Sequence, residues 1–300
     1  MRKPKVRTLA QKIPYAFRVG SDRQRALYVA TRRALRPRLS SERRRLAADL
    51  GREAPFEVPH DRGFLVVPPG PFPEMSDVID AARAAVRDGL AADRLARANK
   101  PFLAGMVDQS TLDLDSPYLR LALRPDIIAA ISRYLGVVPI LQYANVLYSG
   151  HVDADLAKSQ LYHCDSDDTT QLKIFVHCTD VTPENGPLTM MTASGSTRLR
   201  RHLGYRYNRR VVDTEAAPFS SNDQHPMLGP AGTACFVDTS RCFHFGSRVG
   251  GNAEPRVIMM LQYLTPYAFI LPGDPRRAAR FRRLSTPDLP RLSRLVLGGE

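Results

Sequence analysis

Cysteine is scarce in this chain of 300 residues, and the four present, Cys164, Cys178, Cys235 and Cys242, form no CxxC pair. Their expected state is reduced, as small buried hydrophobes in a cytoplasmic, reducing compartment. No run of about 18 apolar residues occurs, so no membrane span is expected. The opening MRKPKVRTLAQKIPYAF lacks the uninterrupted apolar core of a secretory signal. It is Arg-rich and acid-poor like a transit peptide, but its basic residues continue well past the length of one. There is no internal repeat, no long low-complexity tract and no known nucleic-acid motif.

Positive charge, by contrast, is abundant and uneven. The net charge is +13, yet residues 1–50 hold 15 Lys and Arg against 3 Asp and Glu, while the other 250 residues hold 28 against 27. The basicity therefore belongs to an N-terminal segment. Such a segment suits nucleic acid, anionic lipid or an acidic partner, and equally a solvated basic helix face, which is the reading preferred here.

Residues 22–50 read as helical, with Pro37 splitting them into two helices. Residues 51–62 are a polar, Pro-containing connection. The run Gly63-Phe64-Leu65-Val66-Val67-Pro68 fits a short buried strand. Residues 77–95 place Val78, Ile79, Ala82, Ala85, Val86 and Leu90 at helical steps, and a second helix is expected over 117–135, ended by Gly136. Strand-like runs then follow at 138–148, 160–164, 171–180, 187–192, 209–214, 232–238 and 256–264, separated by turn residues. Many strands with turn punctuation point to a sandwich or barrel. The expected fold is mainly β with flanking helices. Its parts are a basic helical extension (1–61), a β domain (62–272) and an Arg/Pro-rich tail (273–300) packed outside the core or frayed.

The chemistry concentrates in Gln160-Leu161-Tyr162-His163-Cys164-Asp165. On a strand, residues i and i+2 share a face, so His163 and Asp165 would point the same way. One imidazole and one carboxylate are two corners of a two-His, one-carboxylate metal site. The third corner must come from elsewhere, and His244 lies in a downstream turn between two apolar strands. Arg256 opens the second of those strands. A guanidinium there can reach inward, and its planar fork suits a bidentate grip on a carboxylate.

Taken together, these features resemble the phytanoyl-CoA dioxygenase-like branch of Fe(II)/2-oxoglutarate oxygenases. The resemblance rests on His163-Cys164-Asp165; on the strand from Lys173 to Val181 leading into Glu184-Asn185-Gly186-Pro187-Leu188; on His244 followed by Gly246; and on Arg256. It spans about residues 62–268 and includes the Gly63–Pro68 strand. It implies a double-stranded β-helix, or jelly roll, with His163, Asp165 and His244 binding Fe(II). Arg256 would pair with the distal carboxylate of 2-oxoglutarate. Lys173 falls on a strand position that contacts the same co-substrate, and Gln160 and Asn145 lie on strands expected to line the pocket. The implied reaction uses O2 to hydroxylate a C–H bond of a small metabolite or natural-product intermediate, with release of succinate and CO2. In place of that family's Pro-Gly-Ser-His turn stands Ala193-Ser194-Gly195-Ser196-Thr197, read as a surface turn away from the metal. The family's usual Trp is absent. The loops at 149–160 and 199–230 are expected to select the substrate.

Two other readings stay open: a non-catalytic jelly-roll binding protein, and an oxygenase targeted to nucleic acid or an acidic partner by residues 1–50. Lesser candidates are a zinc site from His177 and Cys178 with His163 and Cys164, and a second HxD at His151 and Asp153. Asp167 and Asp168 either cap the strand-loop junction or meet a cationic group on the substrate.

Overall fold

A computed structural model describes residues 9–271 and 279–299, with the side chains from 14 onward. The extreme N-terminus (1–8) and residues 272–278 of the tail lie outside the described residues.

Three helices lead the chain: α1 (Leu9–Arg18), α2 (Asp22–Ala34) and α3 (Pro37–Arg52). Ser21 caps α2 in a capping box with Gln24, and Pro37 opens α3, where its missing N–H costs nothing. Strand β1 (Phe64–Val67) and helix α4 (Met75–Ala91) follow. The latter was expected to reach residue 95. It stops earlier because the chain turns through Asp93, at a positive φ of 56°. After β2 (Ala104–Gly105) come α5 (Pro117–Ala122) and α6 (Pro125–Leu135), not one helix over 117–135. Pro125 forces Arg124 out of the helical region, to φ −59° and ψ 131°. Gly136 ends α6 in the left-handed conformation, as its position suggests.

The β core comprises β3 (Ile140–Ser149), β4 (Gln171–His177), β5 (Thr189–Met190), β6 (His225–Pro226), β7 (Ala234–Val237), β8 (His244–Phe245) and β9 (Arg256–Leu264). Between them lie helices α7 (Ala193–Leu203) and α8 (Asp213–Ser220). The strands form two antiparallel sheets, ordered β1-β7-β4-β9-β3-β2 and β6-β5-β8. Isolated pairings of His163 with His244 and of Tyr162 with Val211 widen the smaller sheet. Antiparallel sheets with helices are thus present as expected. The helices nevertheless hold more residues than the strands, so "mainly β" describes the core and not the chain. The expected strand at 209–214 shrinks to the Val211 pairing, because Asp213 and Glu215 start α8 and Glu215 reaches back to the Val212 N–H.

Period-two alternation gives the large sheet two different faces. Leu172, Ile174 and Val176 of β4 and Val257, Met259 and Leu261 of β9 pack into the main apolar core with residues of α4, α5 and α6. The opposite face carries Lys173 and Phe175 on β4 and Arg256, Ile258 and Met260 on β9, and it fronts a cavity.

The N-terminal helices join this core. Ala47 of α3 belongs to the main apolar cluster. Fully buried Arg43 donates to the carbonyls of Val138 (3.0 Å), Pro139 (3.2 Å) and Leu295 (2.9 Å). The described tail behaves likewise: Leu295, Val296 and Leu297 are core residues around a short helix, Arg291–Val296. The expectation of a tail outside the core is corrected there, because its Arg/Pro texture hides a closing apolar triplet.

Arg25, at 1% exposure, contradicts the picture of a wholly solvated basic face. It donates to the carbonyls of Arg18, Ser166 and Asp168 and lies over the rings of Tyr207 (3.6 Å) and Phe269 (4.7 Å). A guanidinium can sit there because carbonyls and aromatic faces replace its water. We expect Arg25→Leu to lower unfolding free energy by about 2–4 kcal/mol through the carbonyls it strands. Exposed Arg23→Leu on the same helix should stay within about 0.5 kcal/mol. Urea denaturation of both variants measures the contrast.

Candidate metal centre and cavity

His163 and His244 face each other across the smaller sheet, each donating its backbone N–H to the other's carbonyl (3.1 and 3.0 Å). That reciprocal pairing sets the imidazoles side by side, with ring centroids 4.2 Å apart. Two residues beyond His163, Asp165 donates its own N–H to Thr239 O at 2.7 Å, which turns its carboxylate toward the rings. The ligand atoms of all three lie within 4.8 Å of one another, and this is the sole such His/Cys/Asp/Glu group among the described residues.

Each imidazole is held in one tautomer. His163 Nδ1 lies 2.9 Å from Leu161 O, and His244 Nδ1 lies 3.0 Å from Cys242 O. A carbonyl only accepts, so Nδ1 carries the proton and Nε2 keeps its lone pair. Both Nε2 atoms approach Asp165, at 3.8 and 4.0 Å. Burial, reinforced by the neighbouring imidazole, holds His163 well below the usual histidine pKa. Burial likewise lowers His244 against the pull of Asp165. Asp165 goes the other way. Burial alone would raise it, but Lys173 and the two histidines hold it well below the usual carboxylate range. Two neutral imidazoles and one ionised carboxylate are the forms that bind a divalent ion. Protons then compete only below pH ~6.5, the free histidine value. Co(II) affinity is therefore expected to change less than about twofold between pH 8 and pH 6.5. A calorimetric titration at both pH values checks this.

The triad opens into a cavity of about 240 Å³. Lys173 also fronts it, but its ammonium sits on Asp165 Oδ2 at 2.6 Å. Gln171 Nε2 donates to the same oxygen at 3.3 Å, which leaves Oδ1 for a metal. The contact seen for Lys173 is therefore with the carboxylate of the triad. Burial pulls its pKa down, and Asp165 more than offsets this, holding it above the ordinary lysine value.

Arg256 is 6% exposed and lines the same cavity. Its Nη2 donates to Ser247 Oγ (3.0 Å) and, more weakly, to Ser149 Oγ (3.4 Å), while its Nε has no hydrogen-bond partner among the described residues. Burial, with no carboxylate among the described residues to oppose it, lowers its pKa to about 10. A buried guanidinium held only by two hydroxyls has unspent capacity for an anion.

Gln160 and Asn145 are occupied elsewhere. Gln160 donates to Ser247 O at 2.9 Å and accepts from Ala157 N at 3.2 Å. Asn145 pairs with both the N–H (3.0 Å) and the carbonyl (3.1 Å) of Val107, tying the segment after β2 to the sheet. Neither borders the cavity.

No sequence pattern singles out Ser247. It is buried at a positive φ of 62° and links Arg256, Gln160 and Ser149. Nearby, Gly186 at φ 67° must be glycine, because a Cβ there would lie 2.6 Å from the backbone of Arg248.

The presumed surface turn at 193–197 is also corrected. It opens α7, and buried Ser196 accepts the N–H of Phe243 at 2.7 Å, one residue before His244. The zinc alternative fails on position. His177 bonds Gly229 O (3.3 Å) and faces Cys235 Sγ (3.7 Å), and Cys164 Sγ lies 3.9 Å from Arg200, so no ligand set forms. His151 is exposed and bonds Val249 O at 2.8 Å, away from the cavity. Asp167 meets a cation, but one from this chain: Arg18, at 2.6 Å. Asp168 is fully buried and accepts from Thr265 N and Oγ1 (both 2.8 Å) and Thr169 N (2.7 Å).

No family model and no curated protein matches the chain by sequence. Solved structures do match by shape. EctD from S. alaskensis with bound Fe aligns at a TM-score of 0.50 and 21% identity, covering 68% of this chain and 73% of that one. The non-heme alpha ketoglutarate dependent epimerase SnoN from nogalamycin biosynthesis, in complex with Fe3+, alpha ketoglutarate and nogalamycin RO, gives 0.47 and 19% over 74% and 85%. HygX from Streptomyces hygroscopicus with nickel, 2-oxoglutarate and hygromycin B bound gives 0.45 and 16% over 68% and 83%. The chain shares its fold with the first of these. No helix among the described residues is long and apolar enough to cross a membrane.

Proposed function

We propose that this chain is an Fe(II)- and 2-oxoglutarate-dependent oxygenase of the phytanoyl-CoA dioxygenase-like kind, built on a double-stranded β-helix, that hydroxylates a small molecule. One observation carries the reading: a His-Asp-His group with preset tautomers shares a small cavity with a buried arginine that has no carboxylate partner among the described residues. A structural histidine pair would have no use for two free Nε2 lone pairs beside an ionised carboxylate.

In this reading His163 Nε2, His244 Nε2 and Asp165 Oδ1 would hold the metal. Lys173 neutralises and fixes the other oxygen of Asp165. Arg256 would donate to the far carboxylate of 2-oxoglutarate, and the Ser149–Ser247 pair, which accepts from its Nη2, would orient its fork. The bound iron, with 2-oxoglutarate and O2, supplies the oxidising power for C–H hydroxylation, with succinate and CO2 as co-products. Leu103, Leu147, Ile258 and Met260 keep the cavity walls apolar and exclude water. Four buried free thiols fit a reducing, cytoplasmic setting. Burial of Arg25 and Arg43 argues against a nucleic-acid role for those two side chains.

The test is anaerobic titration of the purified protein with Fe(II) and 2-oxoglutarate, following the weak visible metal-to-ligand absorption band. A band that needs both additions supports the oxygenase. No band, with no metal retained, leaves a non-catalytic binding protein.

A further inference from the structure

The cavity holds one more charged group that the reading above does not use. Lys100 lies after α4, on a segment outside the two β sheets, and lines the cavity together with Leu103. Its ammonium is anchored rather than free to roam. It donates to Ser159 Oγ at 2.9 Å, while neighbouring Lys158 reaches back to Asn99 O. Two contacts thus tie the segment around residue 100 to the turn before His163.

A charge inventory of the wall is lopsided. Cationic groups come from Lys100, Lys173 and Arg256, and a single carboxylate from Asp165. Asp165 is taken by Lys173. Arg256 is assigned to the co-substrate, whose other carboxylate belongs at the metal. Lys100 then remains, with no carboxylate at ion-pair distance among the described residues. Burial, with help from Lys173, Arg210 and Lys158, pushes its pKa down to about 8, against the attraction of Asp165. A half-buried ammonium surrounded by apolar walls costs desolvation and gains little from one serine hydroxyl. A ligand anion would supply the missing counter-charge.

We propose that the molecule oxidised in this cavity carries an anionic group, a carboxylate or phosphate, and that Lys100 is the specificity-determining residue that binds it. The proposal rests on the oxygenase reading. Anchoring the substrate by a charge at Lys100 aims the remainder of the molecule along the apolar wall of Leu103, Leu147 and Ile258 toward the metal triad. An ion pair at Lys100, beside an apolar wall, gives orientation that apolar contacts alone lack. Uncharged analogues are rejected because they leave the ammonium desolvated and unpaired.

The test compares wild type with Lys100→Met, which keeps the apolar stem, and Lys100→Arg, which keeps the charge. Each protein is loaded anaerobically with Fe(II) and 2-oxoglutarate and titrated with propionate and, separately, with its neutral isostere propionamide. Shift of the visible absorption band is the readout. In wild type and Lys100→Arg, propionate is expected to shift the band and propionamide to leave it unchanged. In Lys100→Met the half-saturating propionate concentration should rise by roughly tenfold or more. The 2-oxoglutarate dissociation constant should be equal in all three. Equal propionate responses in wild type and Lys100→Met would overturn the proposal, as would a wild-type band unmoved by roughly 100 mM propionate. A weakened 2-oxoglutarate titration in Lys100→Met would also overturn it, by moving Lys100 to the co-substrate. Failure of the wild-type band to form at all is a different result, which removes the oxygenase reading itself.

Discussion

Asp165→Ala is expected to abolish turnover and to weaken Fe(II) or Co(II) binding by well over a hundredfold. Loss of a group that merely orients a ligand costs about 10–100-fold, and Asp165 is proposed as a ligand itself. It is also the carboxylate that pairs with Lys173 and approaches both imidazoles. Without it, the pocket would ask a dication to join a buried ammonium with no compensation. Asp165→Asn separates charge from shape. It keeps an oxygen for Lys173 but no anionic ligand, so it should fail nearly as badly. Calorimetric titration of both variants with Co(II) reads the effect without reference to catalysis. Near-native affinity in Asp165→Asn would remove the carboxylate from the metal site.

The second large effect belongs to Arg256, and it has a signature that a structural residue would not give. Arg256→Met should raise the 2-oxoglutarate dissociation constant by about 30-fold to more than 1,000-fold, since truncating one partner of a buried charge pair costs about 2–5 kcal/mol. The ligand-free protein is meanwhile expected to keep its stability or gain up to about 3 kcal/mol, because replacing an unpaired buried charge with an apolar side chain is commonly neutral or favourable. The Ser247 and Ser149 hydroxyls remain able to bond each other at 3.0 Å. Paired urea melts and 2-oxoglutarate titrations reveal the split. A variant that loses stability while still binding 2-oxoglutarate normally would make Arg256 a structural residue.

Arg25 and Arg43 show how far charge can mislead when read along a chain. Both sit in a segment with a strongly basic balance, yet each is spent on carbonyls contributed by residues far away in sequence. Arg25 bonds the carbonyls of Ser166 and Asp168, just past the HxD triplet, and Arg18 holds Ser166 Oγ (2.9 Å) and Asp167 there as well. The N-terminal helices therefore brace the loop that follows Asp165. A charge that binds carbonyls of its own fold carries no periodicity or motif to announce it: Ser166 and Asp168 lie 141 and 143 residues from Arg25, and Val138, Pro139 and Leu295 lie 95, 96 and 252 residues from Arg43.

What the sequence determined by itself was local. The two-residue spacing of His163 and Asp165 on an extended segment, an arginine opening the apolar run at 256, the break at Pro37 and the left-handed end at Gly136 all follow from backbone geometry within a few residues. Turn chemistry and side-chain alternation operate over that range and are legible from one chain. The partners were decided only by tertiary structure. Pairing of His163 with His244 across 81 positions gathers the triad. The same closure gives Lys173 to Asp165, commits Gln160 and Asn145 to backbone groups, turns 193–197 into a helix start behind His244, and brings Lys100 to the cavity wall. Each of these depends on which polar atoms remain unsatisfied once the sheets close. A buried donor must find its acceptor wherever the fold puts one, and that address is written in three dimensions, not in spacing.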